Sequence, residues 1–483
     1  MNTFMNGLKN ATNFTYTANG ALAHKSTGSK LFDLFALGGA YRQRTDADCI
    51  NLFMNAFNEN EEYAMKCLFY LRDARGGQGE RRFYRVCMHY LAQKHPEAVR
   101  RNLQHIPEFG RWDDLFCLFG TPLEDDALAM IKSQLALDIQ SKTPSLLAKW
   151  LPSENTSSPA TRAFGNKIRT YLGLSHKAYR KVLSAMRERI KVLEKLMSAN
   201  RWTDIEFDKI PSKAGLIYRN AFARRDMIKA KYEAFANDET TKVNADTLYP
   251  YEVVEKALQC RSYSIDSAER KMITKYWENM KGVDAPLNAL AIVDTSGSMW
   301  GRPINVAISL GLFCADKARG PFAGHYISFA SHPQLIETTG IDIVDKVERI
   351  YRTNLVDDTN LEAAFRLVLN TAIMNKCKQE DLPETLIVIS DMQINYMSNW
   401  RSDDAVLTGM EKLHREWAAC GYQMPKLVYW NVNASNDTIL DLSDNVSYVS
   451  GCSPSILDSI MQGKTQIDLM WDILNKDRYK EIK

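Results

Sequence analysis

The 483-residue sequence contains no run of 18 apolar residues, so it predicts no membrane-spanning helix. Its opening stretch, MNTFMNGLKNATNF, lacks a basic segment ahead of an apolar core, so no secretory signal is expected. The nine cysteines stand singly, with no C-x-x-C pair. An odd, scattered set argues against a disulfide framework or a zinc site and for reduced, core-filling thiols in a cytoplasmic protein. Phosphate-loop, H-E-x-x-H and G-x-S-x-G signatures are all missing, and the eight histidines show no ligand or triad spacing. An enzyme is therefore not expected. Net charge is only +3, but the length exceeds what one core usually supports, so two or three domains are anticipated.

Charge is present in quantity and is unevenly placed. Between Arg162 and Lys231 there are 18 Lys and Arg against 6 Asp and Glu, a net of +12. From Leu287 onward there are 18 against 25, a net of −7. The periodicities divide the chain similarly. Residues 1–30 are polar and read as an extended arm. Residues 31–283 carry helical spacing, as in Ile50, Phe53, Met54 and Phe57, with short loops that suggest stacked antiparallel helix pairs, a HEAT-like solenoid or ring. The spacing from His176 to Met197 predicts one long helix within the basic segment 162–231. Over 284–483, strand candidates at 289–293, 325–330, 385–390, 427–432 and 446–449 alternate with helices, which predicts a doubly wound parallel sheet.

Within that last region, Ala289 to Val293 delivers Asp294-Thr295-Ser296-Gly297-Ser298 at the C-terminal end of a strand, where open α/β sheets place their sites. One carboxylate and two hydroxyls at alternate positions can converge on a hard divalent cation. A second strand, LIVIS, ends in Asp391, and Thr359 opens a helix between the two. The D-x-S-x-S motif with these two loops resembles the metal-ion-dependent adhesion site of von Willebrand factor A domains. The resemblance implies Mg²⁺, or Mn²⁺, bound by Ser296, Ser298 and Thr359, with Asp294 and Asp391 acting largely through water. It also implies an open position for an acidic group of a partner protein. Asp357 and Asp358 would attract the cation and repel an anionic ligand.

The segments NGALAHKSTGSKLFDLF, YLRDARGGQGERRFYR and FGRWDDLF resemble the TROVE module of the Ro autoantigen group. They are most similar to a TROVE-like family that ends in the same von Willebrand A domain, as is YRKVLSAMRERIKVLEKLMSANRW running on to IPSKAGLIYRNAFARRD. The resemblance implies a monomeric helical ring closed by the C-terminal domain, binding small structured RNAs on a basic surface and single-stranded ends in its central hole. The segment 120–250 departs from the Ro pattern as a long insert. Candidate RNA contacts are Arg72, Arg75, Arg81, Arg82, Lys177, Arg180, Lys181, Arg187, Lys191, Arg224 and Arg225. Each has an alternative. Arg72–Asp73 and Glu80–Arg81 can pair locally around a flexible glycine turn, and the basic helix face can be merely solvated. Arg111-Trp112-Asp113-Asp114 reads as an Arg–Asp pair fixing a helix start beneath a buried tryptophan. Tyr171, Tyr179, Tyr218 and Phe222 read mostly as core. The competing function is a metal-dependent protein scaffold without a nucleic-acid role.

Overall fold

The computed structural model describes residues 12–281, 288–329, 332–353, 360–395, 409–461 and 466–483. Helices fill the chain from Lys30 to Glu278, and the main sheet follows. The first long helix, Asp46–Glu59, shows how the sequence sets its elements. Thr45 accepts from the Asp48 amide while Asp48 accepts from Thr45, a capping box that satisfies amides the first turn leaves unpaired. Its buried stripe is Cys49, Leu52, Phe53, Ala56 and Phe57, with Ile50 and Met54 at the flank.

The expected single helix from His176 to Met197 is two, His176–Arg189 and Leu193–Ser198. Lys191 takes a left-handed φ of 49°. The Val192 amide donates to the Arg187 carbonyl and the Lys191 amide to that of Glu188, the paired bonds that end a helix. The apolar spacing continues across the break because both pieces pack on one core, so periodicity alone does not reveal it.

The loop at 73–80 gathers the molecule. Amides of Gln78, Gly79 and Glu80 donate back to the carbonyls of Tyr70, Asp73 and Leu71. A Cβ at Gly77 would lie 2.0 Å from the Tyr70 carbonyl oxygen, so the tight return requires glycine there. Buried Asp73 accepts from the Arg478 guanidinium and, at 3.0 Å, from the Tyr479 hydroxyl. On the other side the Tyr249 hydroxyl donates to the Gln78 carbonyl at 3.2 Å, so the late helical region closes back on the early one.

The sheet runs β5-β4-β3-β6-β7-β8, with β3 Ala289–Asp294, β4 His325–Phe329, β5 Gln334–Glu337, β6 Thr385–Ser390, β7 Lys426–Asn431 and β8 Val446–Ser450. The sheet is mixed rather than wholly parallel. β5 is an antiparallel edge strand, and with only Ile336 buried in its four residues it carries no readable alternation. The polar arm is also more ordered than its composition suggests. It forms a hairpin, β1 Phe14–Tyr16 with β2 Leu22–His24, docked on the sheet half by the hydroxyl of buried Thr17 to the Ile394 carbonyl at 2.6 Å. All nine cysteines are free thiols, with Cys420 alone exposed. Among the described residues no helix is long and apolar enough to cross a membrane.

Asp73→Ala leaves the Arg478 guanidinium and the Tyr479 hydroxyl without their shared acceptor. It is expected to lower unfolding free energy by about 3 kcal/mol with an unchanged denaturant slope, as measured by urea titration.

Candidate functional site

Parallel pairing of β3 with β6 sets Val293 beside Ile389, so the two strands end together and bring Asp294 next to Ser390 and Asp391. All six residues of each strand are buried, which carries the carboxylates out of water with them. The Ser296 amide donates to Asp294 Oδ1 at 2.9 Å, and Ser390 Oγ donates to Asp294 Oδ2. The Ser296 and Ser298 hydroxyls lie 3.1 Å apart, and the Ser298 hydroxyl also donates to Asp391. Burial and the facing Asp391 push the Asp294 carboxyl up to about 6, and burial raises Asp391 too. Among the described residues no Lys or Arg pairs with either carboxylate. Two buried acids facing each other without a cation are costly, and two hydroxyls beside them complete a donor set that suits a hard divalent ion. No cluster of three His, Cys, Asp or Glu metal ligands occurs among the described residues, so the hydroxyls are essential to this candidate.

The arm covers one side of this loop. The Ala18 amide donates to Gln393 Oε1 at 2.8 Å, and Asn19 Nδ2 donates to the Gln393 carbonyl at 2.6 Å.

A second site lies in the helical half. Loops and helix starts from 72–81, 107–112, 146–150, 190–193, 211–214 and 247–249 converge on a cavity of about 570 Å³. Arg72, Arg75, Arg81, Arg111, Lys149, Lys191 and Lys213 line it together with Trp112, Trp150 and Tyr249, and no Asp or Glu is among the lining residues. The Arg111 guanidinium lies 3.9 Å over the Trp150 ring, and Lys213 lies 4.9 Å over Tyr249. Desolvation and the neighbouring Arg111, Arg72 and Arg85 hold the Arg81 guanidinium below its ordinary value, with Asp113 offsetting part. Among the described residues Arg81 and Lys149 have no ion-pair partner. Arg72, Arg111, Lys191 and Lys213 are answered by carboxylates outside the lining, so the uncompensated positive charge of the wall includes that of Arg81 and Lys149.

The model of the domain of unknown function DUF2828 matches residues 17–145 and 138–283, more than half of the chain. The chain belongs to the DUF2828 family. A second model, the domain of unknown function DUF7788, matches residues 288–481. An uncharacterized protein of Acanthamoeba polyphaga mimivirus is 31% identical, over 94% of this chain and 85% of its own length. Among solved structures, the Ro (RSR) protein of Deinococcus radiodurans is similar over 93% of this chain and 99% of its own, at 13% identity and a TM-score of 0.40. That likeness is too slight to carry function.

In this DUF2828 member the expected metal residues Asp294, Ser296, Ser298 and Asp391 come together, while Thr359, with Asp357 and Asp358, lies outside the described residues. The expected RNA contacts divide. Arg72, Arg75, Arg81 and Lys191 line the cavity, but Arg72 is 2% exposed and committed to Asp114, and Lys191 pairs with Glu206. Arg82 pairs with Asp46. Arg187 is satisfied by the Ala148 and Leu151 carbonyls and the Ser153 hydroxyl, so it ties segments together instead of facing a ligand. Lys177, Arg180 and Lys181 are exposed on the outer face of His176–Arg189; Arg224 and Arg225 sit at a helix junction, with Arg225 over the Trp202 ring.

The local pairs expected around the glycine turn do not form. Asp73 takes Arg478, Glu80 takes Arg42, and Arg72 reaches Asp114. The Arg111–Asp113 pair does form, but Trp112 is half-buried and faces the cavity. Lys149, Trp150, Lys213 and Tyr249 were not legible as one site, because they lie 100 residues apart in sequence and no motif joins them. Tyr179 and Phe222 are core, as expected.

Asp114 anchors the cavity floor, accepting from Arg72 Nε at 2.8 Å, Arg85 Nε at 2.6 Å and the Arg111 amide at 2.9 Å. Burial pushes its carboxyl up, but Arg72 and Arg85 outweigh it and hold the group below the usual carboxylate range. Its folded value being depressed, its stabilisation is complete above about pH 4 and is lost as pH falls through the folded value. Urea titrations across the acid range should therefore show stability falling with pH in the wild type, with a flatter limb in Asp114→Asn.

Proposed function

We propose that this protein binds RNA, taking single-stranded RNA or the single-stranded parts of small structured RNAs into the helical cavity. The observation that carries this reading is the lining of that cavity, cationic and aromatic with no carboxylate. Lysines and arginines without partners neutralise phosphates, and aromatic rings stack on unpaired bases irrespective of sequence. Lys177, Arg180 and Lys181 on the outer helix face extend the positive surface for RNA leaving the cavity. Pairing of negative sheet half and positive helical half leaves the attraction concentrated on the latter.

The sheet half is read as a von Willebrand A domain with Mg²⁺, or Mn²⁺, at its strand ends. Ser296 and Ser298 would supply hydroxyls, Asp294 and Asp391 would act largely through bound water, and Thr359 joins them by resemblance alone. The ion would supply an open coordination position for an acidic group. Trp300, 78% exposed and two residues from Ser298, favours a protein as the source of that group. Both sites are read as binding sites.

Anisotropy of a short labelled single-stranded RNA tests the cavity. Log affinity should fall linearly with log salt at a slope of roughly −0.7 per phosphate neutralised. Arg81→Ala and Lys149→Ala should each weaken binding by about tenfold and shallow that slope, whereas Lys229→Ala, remote from the cavity lining, should leave it unchanged. A panel of RNAs giving no salt-dependent shift would sink the reading.

Melting experiments test the ion. Mg²⁺ at 100 times its Kd should add about 2.7 kcal/mol to wild-type stability. Asp294→Asn should raise stability of the metal-free form, by removing a buried unpaired charge, while abolishing the Mg²⁺ response. A wild type indifferent to Mg²⁺ and Mn²⁺ would refute the metal assignment.

A further inference from the structure

A series of direct contacts joins the two candidate sites. The 295–301 loop ends at Gly301, at a φ of 91°, and passes straight into Arg302, the first residue of the helix Arg302–Lys317. The Arg302 guanidinium donates to the Tyr251 hydroxyl and lies 4.6 Å over the Tyr251 ring. That ring stacks on Tyr249, with centroids 5.9 Å apart and planes 8° apart. Tyr249 in turn lines the cavity and holds the Gln78 carbonyl at 3.2 Å. The fit at this seam is close, because a Cβ on Gly79 would lie 1.7 Å from the Tyr249 hydroxyl.

We propose that cation occupancy at Asp294–Ser298 is transmitted along Arg302, Tyr251 and Tyr249 to the cavity wall, so that a divalent cation and single-stranded RNA bind with positive cooperativity. The inference rests on the metal and RNA readings above for its two ligands. A cation draws the Ser296 and Ser298 hydroxyls onto one point and thereby orders the loop whose end is Arg302. A fixed Arg302 pins Tyr251, and the stacked Tyr249 is then held against the 73–80 loop that carries Arg75. RNA meets a wall already ordered, so less freedom is lost on binding. Linkage requires the converse: RNA tightens the cation by the same factor.

Amide exchange of the full chain with Mg²⁺ alone, followed by RNA titration, tests the relay. In the wild type Mg²⁺ should slow exchange at 295–301 and also at 247–252 and 75–81. In Tyr251→Leu the first protection should persist and the other two vanish. Tyr251→Phe keeps the stacked ring and loses only the Arg302 bond, which guards against misfolding; it should at least halve the effect at 247–252. Saturating Mg²⁺ should tighten a short single-stranded RNA by about fivefold or more in the wild type and leave Tyr251→Leu unchanged. Ser298→Ala controls for Mg²⁺ acting on the RNA itself. The relay is overturned if Mg²⁺ protects 295–301 without reaching 247–252, or reaches it equally in both Tyr251 variants. If Mg²⁺ protects nothing, the relay falls with the metal reading. Exchange coupling without any RNA binding would uphold the relay and remove the RNA reading.

Discussion

The structure depends on the turn at 73–80. A glycine-permitted reversal holds its carbonyls and amides so that three distant parts of the chain dock on eight residues: Arg478 and Tyr479 on Asp73, Tyr249 on Gln78, and the Ser455 hydroxyl on the Gly77 carbonyl at 3.0 Å. Buried polar groups are tolerated only when paired, and here the pairing partners come from the far end of the sequence. One turn therefore closes the helical half on itself, fixes the sheet half against it and presents Arg75 to the cavity.

Both candidate sites follow from incomplete charge compensation. Asp294 and Asp391 are two buried acids, each with a hydroxyl donor of its own, and among the described residues no Lys or Arg pairs with either. In the cavity wall, carboxylates neutralise Arg72, Arg111, Lys191 and Lys213 from behind, while among the described residues Arg81 and Lys149 have no ion-pair partner. What sets the two sites apart is place: these groups are buried or line a cavity, where water answers a charge less well than on an open surface. Their opposite signs are the physical basis of the two ligands proposed, a cation at the strand ends and an anion among the helices.

Much of the fold and half of the candidate chemistry was legible in the sequence. β6 falls on its expected residues, β3 and β8 each run one residue further, β7 is shifted by one residue, and β4 matches over 325–329 with residue 330 outside the described residues, because buried parallel strands are continuous apolar runs bounded by polar turns. The hydroxyl and carboxylate loops were legible for the same reason, since a strand end fixes where its next residues point. The edge strand β5, the hairpin of the arm and the break at Lys191 were not. Each is decided by a partner distant in the chain or by a helix end whose apolar spacing carries on unbroken.

The basic cluster shows the dividing line most clearly. Local pattern determined that the helical half would be positive, that Asp294 and Asp391 would end strands, and that glycines would break the chain after Arg72. It could not separate Arg187, spent on carbonyls of Ala148 and Leu151, from Arg81, which has no ion-pair partner among the described residues. Residue type and spacing settle which groups carry charge and which faces are apolar, because those are properties of a segment alone. Whether a charge is answered depends on what packs beside it. Only the tertiary structure decides that, because it sets Arg81, Trp150 and Tyr249 around one cavity and Arg302 on Tyr251, the ring stacked against Tyr249.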